Sequence, residues 1–139
     1  MKENAEKSTK KRVQKKPQVH PEFVDISQQL RRQREAKGLT LVEASEKVGI
    51  GFVFLSEIER ALKAPSTAAI SGIARVYEMD ECDIAIAYRK IPNSVLETLT
   101  RRKDILRMIY DVTHCEVLND QQRDELFNEV VSLYRRHSE

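Results

Sequence analysis

The sequence predicts an all-α protein, with a five-helix domain over residues 21–90 and a helical unit over residues 91–139. Three observations carry this reading. From Phe23 onward, apolar residues recur at the spacing that lines one face of a helix. No stretch alternates with the two-residue period of a half-buried strand. Helix starts and stops recur between the apolar stretches: Thr40, Gly49, Pro65-Ser66, Asp80, Pro92-Asn93 and Asn119-Asp120.

Taken in order, Phe23, Ile26 and Leu30 mark a first helix that runs through Gln33 and ends near Gly38. Thr40 followed by Glu43 is a capping box, in which the hydroxyl caps the helix start and the carboxylate reaches back. The second helix runs from Leu41 to Val48, and Gly49 supplies a left-handed exit. A third covers Phe52 to Arg60. Pro65-Ser66-Thr67 opens a fourth, with Ile70, Ile73, Ala74 and Tyr77 inward. Asp80 caps a fifth, whose apolar content is Cys82, Ile84, Ala85, Ile86 and Tyr88.

Beyond residue 91, Pro92-Asn93-Ser94 starts a helix containing Val95, Leu96 and Leu99. Ile105, Leu106, Ile109, Tyr110 and Val112 form another apolar stripe. Asn119-Asp120 caps a last helix with Leu126, Phe127, Val130, Val131, Leu133 and Tyr134. So short a unit buries a core of its own only marginally. Its stripes need a partner, either the first domain or a second copy of the chain. A two-fold dimer is the preferred reading, with Ile105, Ile109, Leu126, Val130, Leu133 and Tyr134 as interface candidates.

Charge is unevenly placed. The chain has 24 basic and 22 acidic residues, yet residues 1–20 hold seven Lys/Arg against two Glu. Those 20 residues are polar and nearly devoid of large apolar groups, so they read as a flexible basic arm. Two readings of the arm stand: a solvated tail, or a segment that follows phosphates or enters a minor groove.

Cys82 and Cys115 are far apart and match no metal or redox spacing, and they read as buried, reduced thiols of a cytoplasmic protein. No apolar run approaches the ~18 residues of a membrane span. Enzymatic chemistry has little material. His20, His114 and His137 are isolated, and the four glycines form no phosphate-cradling loop. His114 and Cys115 are neighbours, but consecutive helical residues diverge by about 100 degrees and poorly share a ligand. No metal, no cofactor and no membrane partner are expected.

The segment 38–66 holds the most specific information, as a helix, a glycine turn and a second helix. A helical period puts Leu55 and Ile58 on one side of the third helix, with Phe54 partly following. Phe52, Val53, Ser56, Glu57 and Arg60 lie on the other. With its rear packed on Ala44, Val48 and the first helix, such a helix presents its outward stripe to a major groove.

Residues 26–86 resemble the helix-turn-helix domain of the phage Cro/repressor (Xre) family. The resemblance is carried by Leu30-Arg31-Arg32-Gln33-Arg34, Gly38-Leu39-Thr40-Leu41, Val48-Gly49-Ile50, Phe54-Leu55-Ser56-Glu57-Ile58-Glu59-Arg60 and Pro65-Ser66. Ile73-Ala74 and Met79-Asp80 also fit. It implies a Cro/repressor-type five-helix fold with roles by position. Arg34 and Glu59 match a structural ion pair tying the first helix to the end of the recognition helix. Thr40, Arg60 and Lys63 match phosphate-binding positions, and Phe52, Val53, Ser56 and Glu57 match the base-reading surface. Ser56 also fits a packing role.

The sequence departs from the family pattern at several points. Gly51 replaces the usual hydroxyl cap, Ala61 stands where a left-handed glycine is usual, and Ala44-Ser45 replaces a Leu-Ala pair. Phe52 and Val53 replace polar base readers. Apolar groups meet thymine methyls, and a glutamate accepts from cytosine N4.

The resemblance implies a sequence-specific regulator of transcription, not an enzyme, binding double-stranded DNA as a homodimeric repressor on a palindrome. The alternative is a helix-turn-helix module that binds a protein instead of DNA, an antitoxin or regulatory adaptor. A protein partner or ligand at the C-terminal unit is compatible with either.

Overall fold

The computed structural model describes residues 15–139, so most of the basic arm expected over residues 1–20 lies outside the described residues. Among the described residues all regular structure is helical. The chain divides into two compact units, one ending at Lys90 and one spanning Ile91–Glu139.

In the first unit a 3-10 turn over Pro21–Phe23 leads into α1 (Val24–Ala36), followed by α2 (Leu41–Val48), α3 (Phe52–Glu59), α4 (Thr67–Tyr77) and α5 (Glu81–Ala87). Local chemistry explains where these helices begin. The Thr40 hydroxyl accepts from the Glu43 amide at 3.2 Å, and the Glu43 carboxylate accepts from the Thr40 amide at 2.9 Å. The latter bond favours the ionised carboxylate and holds Glu43 below its usual pKa. Ser66 caps α4 by accepting from the Ala69 amide at 3.1 Å, and Asp80 caps α5 by accepting from the Asp83 amide at 2.8 Å. Gly49 ends α2 with φ at 87°, a conformation in which any Cβ is strained.

Packing then fixes the arrangement. Leu30, Leu55, Ile58, Ile73, Tyr77 and Ile84 retain no exposed surface and come from all of these helices except α2. Burying an aliphatic side chain of this size contributes ~1.5–3 kcal/mol. α2 adds Ala44 and Val48 to the same core. Tyr88 closes the core beside α1, where its hydroxyl and that of Ser27 lie 2.9 Å apart in a hydrogen bond. Burial pushes the Tyr88 hydroxyl up to about 12, so it keeps its proton at neutral pH.

One expectation is corrected. The thiols are not buried: Cys82 is exposed and Cys115 only half-buried. Ile86 is also turned outward, at 67% exposure. The reason lies in the phase of α5, which is only seven residues long. Positions 82 and 86 are one turn apart and share a face, while Ile84, Ala85 and Tyr88 take the core side.

The second unit consists of α6 (Asn93–Arg101), α7 (Lys103–His114) and α8 (Asp120–Ser138). Asn119 and Gln122 form a capping box at the start of α8. Arg123 reaches back to the end of α7, donating to the Val112 carbonyl at 3.0 Å and to the Cys115 carbonyl. Arg102 bonds Asp104 at the start of α7 and holds that carboxyl down at about 2. Within this unit Val112 is the one buried residue, while Leu106, Met108, Ile109, Leu126, Val130 and Leu133 stay exposed.

Gly72 of α4 lies close against the end of α2, since a Cβ there meets the Val48 carbonyl oxygen at 2.8 Å. Alanine normally gains about 1 kcal/mol over glycine inside a helix. Here the overlap with rigid backbone outweighs that gain. Gly72→Ala is expected to destabilise the fold by roughly 1–2 kcal/mol, read as a lower urea midpoint at unchanged slope.

Candidate nucleic-acid interface

The orientation of α3 follows from what its rear holds. Leu55 and Ile58 are fully buried, and Glu59 at its end is nearly so. Arg34 of α1 meets Glu59 in a fork: Nε donates to Oε1 at 2.6 Å and Nη2 to Oε2 at 3.0 Å. The third arm of the guanidinium, Nη1, donates to the Leu39 carbonyl at 2.8 Å, just before α2. Donating to the Glu59 carboxylate raises the pKa of Arg34 above its already high ordinary value, against the opposing effect of burial. One side chain therefore ties α1, the approach to α2 and the end of α3 together.

With the rear fixed, the opposite stripe faces out. Phe52 and Val53, in the first turn of α3, are 54% and 55% exposed. Ser56 and Glu57 are half-buried, and Arg60 is exposed. Gly51 caps α3 without a side-chain hydrogen bond. Thr40 is exposed at the start of α2, its hydroxyl engaged by the Glu43 amide. That end of α2 carries the positive pole of the helix dipole.

The turn after α3 shows one feature that sequence alone did not signal, and resolves another that the family pattern raised. Lys63 Nζ lies 3.0 Å from Glu57 Oε2, joining a base-reading candidate to a phosphate-binding one. Ala61 takes φ at 57°, the left-handed conformation usual for glycine, with its side chain buried. Its carbonyl accepts from the His20 amide at 2.8 Å. That bond brings His20, the end of the exposed 15–20 segment, to the corner carrying Arg60 and Lys63. Backbone bonds between positions so distant have no local pattern, and only the left-handed glycine position of the family hinted that this corner was special.

Val42, in the first turn of α2, is 51% exposed. It was not among the candidates, because an apolar residue in an amphipathic helix is normally assigned to the core. Its place directly after Leu41, which is half-buried, is the signal that it faces away. The interface candidates Ile109, Leu126, Val130, Leu133 and Tyr134 of the second unit are exposed, and Ile105 is half-buried. Among the described residues no three His, Cys, Asp or Glu side chains gather to hold a metal ion. No helix among them is long and apolar enough to cross a membrane.

Residues 25–85 match the model of a protein family described as a helix-turn-helix domain, and this segment is a helix-turn-helix domain. Two solved structures are similar to the chain. One is the clp gene regulator ClgR from Corynebacterium glutamicum, 22% identical, with 70% of this chain and 98% of that one covered and a TM-score of 0.43. The other is a complex of the SinR and SinI proteins, 25% identical, with 82% of this chain and 99% of that one covered and a TM-score of 0.41. No curated protein matches the sequence.

Removing one partner of a buried ion pair strands the other charge. Glu59→Ala is expected to lower unfolding free energy by ~3–5 kcal/mol, while Arg34→Met combined with Glu59→Leu recovers at least half of that loss. Urea denaturation of the three proteins checks both figures.

Proposed function

We propose that the protein is a sequence-specific, double-stranded DNA-binding regulator of transcription that acts in the cytoplasm, as a repressor occupying its operator. The observation supporting this most strongly is the outward stripe of α3. It is anchored from behind by Arg34 and Glu59 and flanked at its end by Arg60 and Lys63. A helix held in this way fits a major groove, with Phe52, Val53, Ser56 and Glu57 toward base edges. Arg60, Lys63, the start of α2 at Thr40, and Lys15 and Lys16 would meet phosphates and supply most of the affinity.

Two copies are needed in this reading, joined through the second unit. The exposed apolar side chains of α7 and α8 leave that unit almost without a core, and a second copy offers the matching surface. Ile105, Ile109, Leu126, Val130, Leu133 and Tyr134 would form the seam. A two-fold dimer would set two α3 helices about 34 Å apart and select an inverted repeat. A second reading, an adaptor that docks a protein on the α3 face, is favoured by the exposed Phe52-Val53 pair. A ligand or partner acting on the second unit would modulate either activity.

Selection of bound sequences from random duplex DNA is expected to enrich an inverted repeat. With six or more phosphate contacts per dimer, affinity should fall about 10³-fold between 50 and 200 mM salt. Phe52→Ala and Val53→Ala should relax preference at the half-site centre, whereas Arg60→Ala should weaken all sequences alike. Salt-independent or absent DNA binding favours the adaptor. Separately, Val130→Asp with Leu133→Asp should convert the dimer to a monomer in sedimentation and cost operator affinity at least 100-fold, with the helix-turn-helix domain still folded.

A further inference from the structure

The first turn of α3 contains no polar side chain, since Phe52, Val53, Phe54 and Leu55 occupy all four positions. Leu55 is buried and Phe54 half-buried, so the tip presented outward is Phe52 and Val53, each more than half exposed. The next ionisable group along the stripe is Glu57. Its side chain is only 21% exposed and its carboxylate lies 3.0 Å from the Lys63 ammonium. The surface is thus an apolar tip followed by a neutralised carboxylate, with Arg60 next along the chain and His20 bonded to the Ala61 carbonyl of the same corner. That cationic border matches a polyanion, and the side chains of the tip offer no donor or acceptor.

A major groove presents hydrogen-bonding edge atoms and, on thymine, a C5-methyl group. Pressing Phe52 or Val53 onto N7, O6 or N4 would bury a polar atom without a partner, which is unfavourable. Only the methyl is complementary to such a tip. We infer that Phe52 and Val53 select the operator through pyrimidine 5-methyl groups rather than through the hydrogen-bonding pattern of the bases. This inference rests on the DNA-binding reading above and specifies how that site discriminates.

The consequence is that methylation, not base identity, governs the contacted positions. With the selected operator and the full-length protein at fixed salt, each half-site thymine is replaced in turn by deoxyuridine, 5-methylcytosine or cytosine, with the complementary base adjusted. At one or two positions per half-site, thymine and 5-methylcytosine should bind alike. Uracil and cytosine should each bind roughly three- to fivefold more weakly, the effect of one buried methyl group. In a Phe52→Ala, Val53→Ala double variant the ratio should fall to about one. Both side chains are exposed, so this variant keeps its core, and its thermal melting curve checks that.

Equal binding of thymine and uracil operators at every position overturns the inference, as does a uracil penalty that persists in the double variant. If an inverted repeat is enriched and salt dependence is steep, such a result leaves DNA binding intact and removes methyl readout alone. Absence of any salt-dependent duplex binding removes both, and binding of the α3 face to a protein takes their place.

Discussion

The forked ion pair between Arg34 and Glu59 is the constraint on which the helix-turn-helix domain depends. It is nearly buried, and it leaves all three arms of the guanidinium satisfied, two by carboxylate oxygens and one by the Leu39 carbonyl. Hydrophobic contacts such as Leu55 against the core hold α3 in place, but they are non-directional and tolerate rotation of a helix about its axis. A planar fork does not. By gripping the last residue of α3 from α1, it fixes which stripe of that helix points out, and so the chemistry presented there.

The outward stripe of α3 combines three features. Its tip is apolar, its only carboxylate is compensated by Lys63, and its end carries cations. Compensation matters because an isolated carboxylate facing phosphates would oppose association at every sequence. Holding the carboxylate beside an ammonium removes most of that repulsion while leaving Phe52 and Val53 as the foremost groups. The bond from the His20 amide to Ala61 adds a further element, because it delivers the end of the lysine-rich segment to the same corner.

Local signals made the helices readable. Thr40 and Glu43 lie three residues apart, Gly49 follows an apolar Val48, and the starts at Ser66, Asp80 and Asn119 all cap helices. The inward side of α3 followed from its period. Four features were not readable, each for a physical reason. The phase of the short α5 was lost because seven residues give too few turns to average over, so Cys82 was misplaced and the outward turn of Ile86 was not foreseen. The Glu57–Lys63 pair crosses a turn whose shape depends on Ala61 accepting a left-handed backbone. Val42 breaks the usual assignment of apolar residues to the core. The partnership of Arg34 with Glu59 spans 25 positions, which no local rule connects, and it was accessible only through resemblance to a known family.

The claim that the outward face of α3 is the working surface is tested most directly by amide chemical-shift mapping. The isotopically labelled full-length protein is titrated with its selected operator duplex at low salt. The account predicts the largest shifts at Thr40, Phe52, Val53, Ser56, Arg60 and Lys63, with α5 little changed. Shifts confined to α7 and α8, or spread evenly with none on α3, would contradict it.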